Sequence, residues 1–126
     1  MPGIDDYRRS SNEVATNEQL VLRAFEKAIT LLWESNAQLE EGDIVAAVPN
    51  LHIARSIFSE LLSSLDFDSS EELATELRNL YVFVLREISA AGFEGSTERL
   101  QNAISVSEQL YEGFYNAFTP EENRGE

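Results

Sequence analysis

Leu51–Leu85 carries two apolar stripes separated by a loop too short to part them, and this constrains the fold more than any other stretch. In its first half Leu51, Ala54, Phe58, Leu61 and Leu65 recur at steps of three and four, the spacing of one helix face. Asp66–Ser70 interrupts the pattern with turn-forming residues. A second stripe follows at Leu73, Leu77, Leu80, Val84 and Ile88. Neither helix buries its apolar face alone, so the two must fold back on each other as an antiparallel hairpin. One further helix from each flank closes an all-α, antiparallel four-helix bundle.

The flanks supply those helices. Thr16 and Gln19 form a capping box at the start of the first. Val21, Phe25, Ala28, Ile29, Leu32, Asn36 and Leu39 make its inward face, and Gly42 stops it. That face is too wide for one stripe: Leu20, Ala24 and Leu31 extend it on one side, Leu22 and Trp33 on the other. Asp43 caps the second helix, and Pro49 is expected to kink or break it, because its ring clashes with the carbonyl of Val45. Ser69 and Glu72 read as the capping box of the third helix, which ends before Gly92, and 92–96 reads as a turn. The fourth places Leu100, Ala103, Ile104, Leu110, Tyr111, Phe114 and Phe118 inward. The expected spans are 17–41, 44–66 with a break at Pro49, 70–91 and 97–118. One domain covers 1–126: a mobile or lightly docked segment at 1–15, the bundle at 16–118 and a disordered tail at 119–126.

Composition narrows function. The chain has no cysteine, which removes disulfides, thiolate zinc sites and thiol catalysis together. Its net charge of −14 repels phosphate backbones and anionic headgroups, so neither a nucleic-acid nor a membrane-surface role is expected. The start lacks the basic flank and apolar core of a signal peptide, and the longest apolar run, Leu80–Leu85, is far below the ~20 residues of a spanning helix. A soluble cytoplasmic protein is expected.

Chemistry is hard to find. His52 is the sole histidine, and Pro49 occupies the place of the Glu in an E-x-x-H metal pair. There is no phosphate-binding glycine loop and no visible Ser–His–acid set. The reading is a non-enzyme, with no catalytic residues, no metal and no cofactor. What remains is surplus apolar surface. An amphipathic helical partner could cover it, as could a second copy in a homodimer, and scattered apolar residues are ordinary on any surface. Composition and spacing do not choose among these.

The order of several short motifs does choose. Tyr7, Val14-Ala15-Thr16 and Leu20 come first, then Leu39-Glu40-Glu41-Gly42-Asp43. Ala54, Ile57, Glu60-Leu61 and Ser63-Ser64-Leu65-Asp66 follow, then Leu80-Tyr81-Val82-Phe83 and Leu110-Tyr111-Glu112-Gly113-Phe114. In this order and spacing, from Tyr7 to Phe118, the chain resembles the FliS family of flagellar export chaperones. It differs at Ala24-Phe25-Glu26-Lys27-Ala28, where that family commonly has L-Y-D-G-A, and at Asn17, which often is Pro. The resemblance implies a cytoplasmic four-helix protein that holds the C-terminal region of flagellin before export and prevents its premature polymerisation. It implies partner contact through Tyr7, Leu22, Ile29, Ile53, Ile57, Val82 and Phe83. The N-terminal segment with Tyr7 would fold over part of the client groove in the free protein. The alternative is a homodimeric adaptor or regulatory bundle that sequesters another helix.

Overall fold

Thr16 caps the first helix as the sequence requires. Its hydroxyl accepts from the Gln19 amide and the Gln19 side chain accepts from the Thr16 amide, each at 3.0 Å, closing the expected capping box. The computed structural model describes residues 15–119. Tyr7, the remainder of the expected N-terminal segment and the tail beyond Thr119 lie outside the described residues. Four helices follow: α1 (Asn17–Glu40), α2 (Ile44–Ser63), α3 (Glu71–Glu94) and α4 (Thr97–Phe118). Each packs on its neighbours in sequence, and α4 closes on α1, which makes the expected four-helix bundle.

The short connections are built from caps. After Glu40 the Asp43 amide reaches back to the Gln38 carbonyl and the Gly42 amide to Leu39, a Schellman turn in which Gly42 takes φ 76°. Asp43 then caps α2 by accepting from the Ala46 amide at 3.1 Å.

Several boundaries differ from the sequence expectation. Pro49 does not break α2, which runs unbroken from Ile44 to Ser63 and stops short of residue 66. The proline and Val45, whose carbonyl loses its partner, both lie on the solvent side, where the carbonyl is open to solvent. Buried Ala47 and Leu51 hold the helix to the core on either side. The α3 cap is Ser70 instead of Ser69, because both the amide and the hydroxyl of Ser69 bond to the Asp66 carboxylate. These bonds hold the exposed Asp66 carboxyl below its ordinary value. Nor does Gly92 end α3, which continues to Glu94. A Cβ at Gly92 would stand 3.4 Å from Leu51 Cδ1, an ordinary van der Waals contact, so this position lies where α3 packs on α2 and is not where the helix ends. Gly95 makes the stop instead, with φ 66° and Ile44 Cδ1 only 2.8 Å from where a Cβ would stand.

The core centres on four rings, one from each helix. Phe25 lies 5.8 Å from Phe58 in an edge-to-face arrangement, 6.3 Å from Tyr81 and 5.4 Å from Phe114. Phe58 and Tyr81 are 6.2 Å apart. Of the expected α3 stripe, Val84 and Ile88 are buried and Leu77 packs on the core, but Leu73 and Leu80 are 53% and 40% exposed, and Ala74, Tyr81 and Ala91 are buried instead. One residue turns a helix by about 100°, so drawing Tyr81 inward leaves Leu80 on the flank.

Polar contacts join the helices outside this core. Trp33 donates to Glu108 at 2.9 Å and Tyr111 to Glu26 at 2.8 Å, linking α1 and α4. The buried Glu87 carboxylate of α3 accepts from Asn102 at 2.9 Å and from Arg99 at 3.2 Å on α4. The buried Ser35 and Ser107 hydroxyls each donate to a carbonyl one turn back.

Phe25→Ala should cost about 3–5 kcal/mol in urea denaturation, because it empties a site that touches all three other helices. Burial pushes the Tyr81 hydroxyl up to about 12 from its ordinary value of 10. A pKa raised by folding stabilises below the unfolded value and loses that contribution as pH climbs to the folded one. The urea midpoint should therefore fall between pH 10 and 12, and fall less in Tyr81→Phe.

Candidate functional site

The wide apolar arc of α1 has a structural outcome: its two flanks meet different neighbours. Ala24 and Leu20 turn toward α2, whereas Trp33 and Ile29 turn toward α4. Because α1 and α2 are antiparallel, the first turns of α1 lie beside the last turns of α2. Between them runs a groove of about 630 Å³. Leu20, Val21 and Ala24 form one wall, Ile57 and Leu61 the other, and Asn17 and Ser64 line the end at the start of α1. Leu20 is 50% exposed, an apolar side chain that no described part of the chain covers. Glu60 supplies the one charge on the lining.

The seven residues expected to touch a partner are not brought into one strip. Ile57 lines the groove, and Ile53, one turn earlier on the same flank of α2, is exposed beyond its edge. Ile29 is half-buried in a smaller cleft against α4, beside Glu26, Thr30 and Tyr111. Leu22, two turns from it along that flank, is also half-buried. Val82 and Phe83 diverge. Phe83 is one turn from Glu87 on the side facing α4, while Val82 is two turns from Ser89 on the side facing α2. Tyr7 lies outside the described residues. The hairpin α2–α3 therefore does not join Ile53 and Ile57 to Val82 and Phe83, because adjacent residues on a helix point about 100° apart.

Leu20, Val21, Ala24 and Leu61 are groove residues that the sequence reading did not name as contacts. The signal for two of them was present, since Leu20 and Ala24 are what widened the α1 stripe. Pairing that flank with the Ile57 flank of α2 requires knowing which neighbour each flank faces, and periodicity alone does not say.

The site carries no arrangement for bond-making chemistry. Its lining is aliphatic apart from Asn17, Glu60 and Ser64. Among the described residues no three His, Asp or Glu side chains converge, and no helix is long and apolar enough to cross a membrane. What such a groove offers is apolar area to another chain.

The family model described as "Flagellar protein FliS" matches residues 2–121. The chain belongs to the FliS family. Two relatives are named Flagellar secretion chaperone FliS. One, from Salmonella typhimurium, is 27% identical over 117 residues, covering 89% of this chain and 87% of the relative. The other, from Campylobacter jejuni, is 23% identical over 108 residues, covering 86% and 84%. Membership of the family agrees with the motif order from Tyr7 to Phe118 and with the four-helix architecture.

Leu20→Ser should change stability by less than about 0.5 kcal/mol, because its side chain is half outside the fold already. Leu61→Ser, on the opposite wall but 8% exposed, should cost about 2 kcal/mol or more. Chemical denaturation of the two variants measures the contrast.

Proposed function

We propose that this FliS-family protein is a cytoplasmic flagellar secretion chaperone whose α1–α2 groove binds the C-terminal region of flagellin. The observation that carries the reading is the open aliphatic groove beside Leu20 and Ile57, in a chain matched over nearly its whole length by the family model. A helix laid into that groove places apolar residues at i, i+3, i+4 and i+7 against Leu20, Val21, Ala24 and Ile57. Each aliphatic side chain so covered contributes roughly 1.5–3 kcal/mol, set against the cost of ordering a flexible client. The client gains a covering for the surfaces through which it polymerises. No cofactor or nucleotide enters this cycle, because binding alone does the work.

The N-terminal segment with Tyr7 belongs to the same proposal. Asn17, at the start of α1, lines one end of the groove, so the segment that precedes α1 in the chain is close to it in sequence. Folded over the groove, that segment would compete with the client and reduce apparent affinity by the fraction of covered molecules.

Titration calorimetry with a flagellin C-terminal peptide tests both parts. Leu20→Asp and Ile57→Asp should each weaken binding at least tenfold, about 1.4 kcal/mol, since a carboxylate would be desolvated against an apolar helix. Phe83→Asp should weaken it as well if the client wraps on to α3, and leave it unchanged if α1 and α2 hold it alone. Deleting residues 1–15 should strengthen binding or leave it unchanged. Unchanged affinity in both groove variants would remove the groove from the site, and a large loss on deletion would make the segment part of it.

A further inference from the structure

The face opposite the α1–α2 groove, between α2 and α3, has a different chemistry. Val48, His52, Arg55 and Ser59 follow one another at steps of four, three and four along α2. Arg78, Val82, Arg86, Ser89 and Phe93 follow at steps of four, four, three and four along α3. In a cleft of about 190 Å³ Val48, His52 and Arg55 stand across from Ser89 and Phe93 over a floor of Leu51 and Ile88, and Arg78, Val82 and Arg86 continue the α3 row outside its lining. Phe93 is 93% exposed, more than any other large apolar residue among those described.

The charges on this face are unusual for the chain. Arg23, Lys27, Arg55, Arg78, Arg86 and Arg99 are the Lys and Arg of residues 15–119, and three of these six lie here with the sole histidine. The chain has 23 Asp and Glu, yet none stands three or four positions from Arg55, Arg78 or Arg86. Among the described residues none of the three forms an ion pair, and Arg78 bonds only to the neighbouring Asn79 side chain at 3.3 Å. Arg99, by contrast, is held by Glu87 and Glu94. A carboxylate one turn away on the same helix would pair favourably with such an exposed arginine.

We propose that the α2–α3 face is a second docking surface, and that it takes an acidic, amphipathic segment of another protein. Its Asp or Glu side chains would pair with Arg55, Arg78 and Arg86, and its apolar side would cover Phe93 and Val48. Guanidinium groups hold carboxylates through two parallel hydrogen bonds, which fixes register as well as affinity. A long polyanion such as RNA fits poorly, because Glu60 lines a cleft together with Arg55 and the net charge of −14 repels a phosphate backbone. A short segment carries fewer charges into that field. This surface is separate from the groove proposed for flagellin and does not depend on that assignment.

A displayed library of random 16-residue peptides, panned on the full chain and counter-selected on the Arg55→Glu/Arg86→Glu variant, tests the proposal. Circular dichroism checks that the variant is folded, and all substituted side chains are exposed. Peptides enriched in Asp and Glu alternating with apolar residues at helical spacing are expected. The strongest, made synthetically and followed by fluorescence anisotropy, should bind about tenfold more weakly to Arg86→Ala and to Phe93→Ser. It should recover in part with Arg86→Lys, weaken with added salt, and bind Leu20→Asp as it binds the unaltered chain. Failure to enrich acidic sequences, or equal affinity across the arginine variants, would overturn it. So would an oligonucleotide of 20 nucleotides binding as tightly as the peptide, or a concentration-dependent dimer that Arg86→Glu abolishes. If the same arginine variants weaken a flagellin peptide equally, the face is part of one client site and the second-partner proposal falls.

Discussion

The contact of Phe25 with Phe58, Tyr81 and Phe114 is what the other features of the bundle are arranged around. A four-helix bundle can slide or rotate each helix while still burying leucines, since aliphatic side chains repack with little loss. Four rings at 5.4–6.3 Å allow less freedom, because aromatic pairs favour edge-to-face or offset geometry. Phe25 is fully buried and central, so α1 is held in register against three partners at once. The partial departure of α3 from its expected stripe follows from this. Tyr81 must reach the ring cluster, and Leu80 is left on the flank as a result.

Register at the far end has another origin. There the helices are joined by Gly42 and Gly95, both at positive φ, and the second lies against Ile44. Between the two ends the Glu87 carboxylate ties α3 to α4 through Arg99 and Asn102. A buried carboxylate is costly unless its oxygens are satisfied, so this contact penalises any α3–α4 packing that separates the three. The rings place the helices near the α1 start, and the tight turns and the Glu87 contact place them at the other end. The α1–α2 groove lies beside the ring cluster and is bounded by a helix on each wall, while its occupant is left open.

The groove and the α2–α3 face also divide the surface by chemistry. One is aliphatic with a single Glu on its lining; the other combines arginines with an uncovered Phe93. Bundles present two kinds of surface readily, because opposite flanks of one helix serve different neighbours. Residues of α2 four positions apart, Ile53 and Ile57, belong to one side, while His52 and Arg55 between and beside them belong to the other.

Helix number, the α1 and α4 spans, the Thr16 capping box and the Gly42 stop were legible in the sequence, because each depends on residues within one or two turns. The inward faces of α1, α2 and α4 were legible for the same reason. Motif order was enough to recognise the family. What tertiary structure alone decided is which flank meets which neighbour. Gly92 reads locally as a stop, yet it lies inside α3, because Gly95 and not Gly92 takes the left-handed conformation that ends the helix. Pro49 reads as a break, yet α2 passes through it because its solvent side tolerates a lost hydrogen bond and its core side is anchored. Ile57 and Val82 both read as partner contacts, yet only Ile57 lines the α1–α2 groove. In each case the local pattern specifies a helix and an apolar arc, and the direction of that arc is set by contacts far apart in sequence.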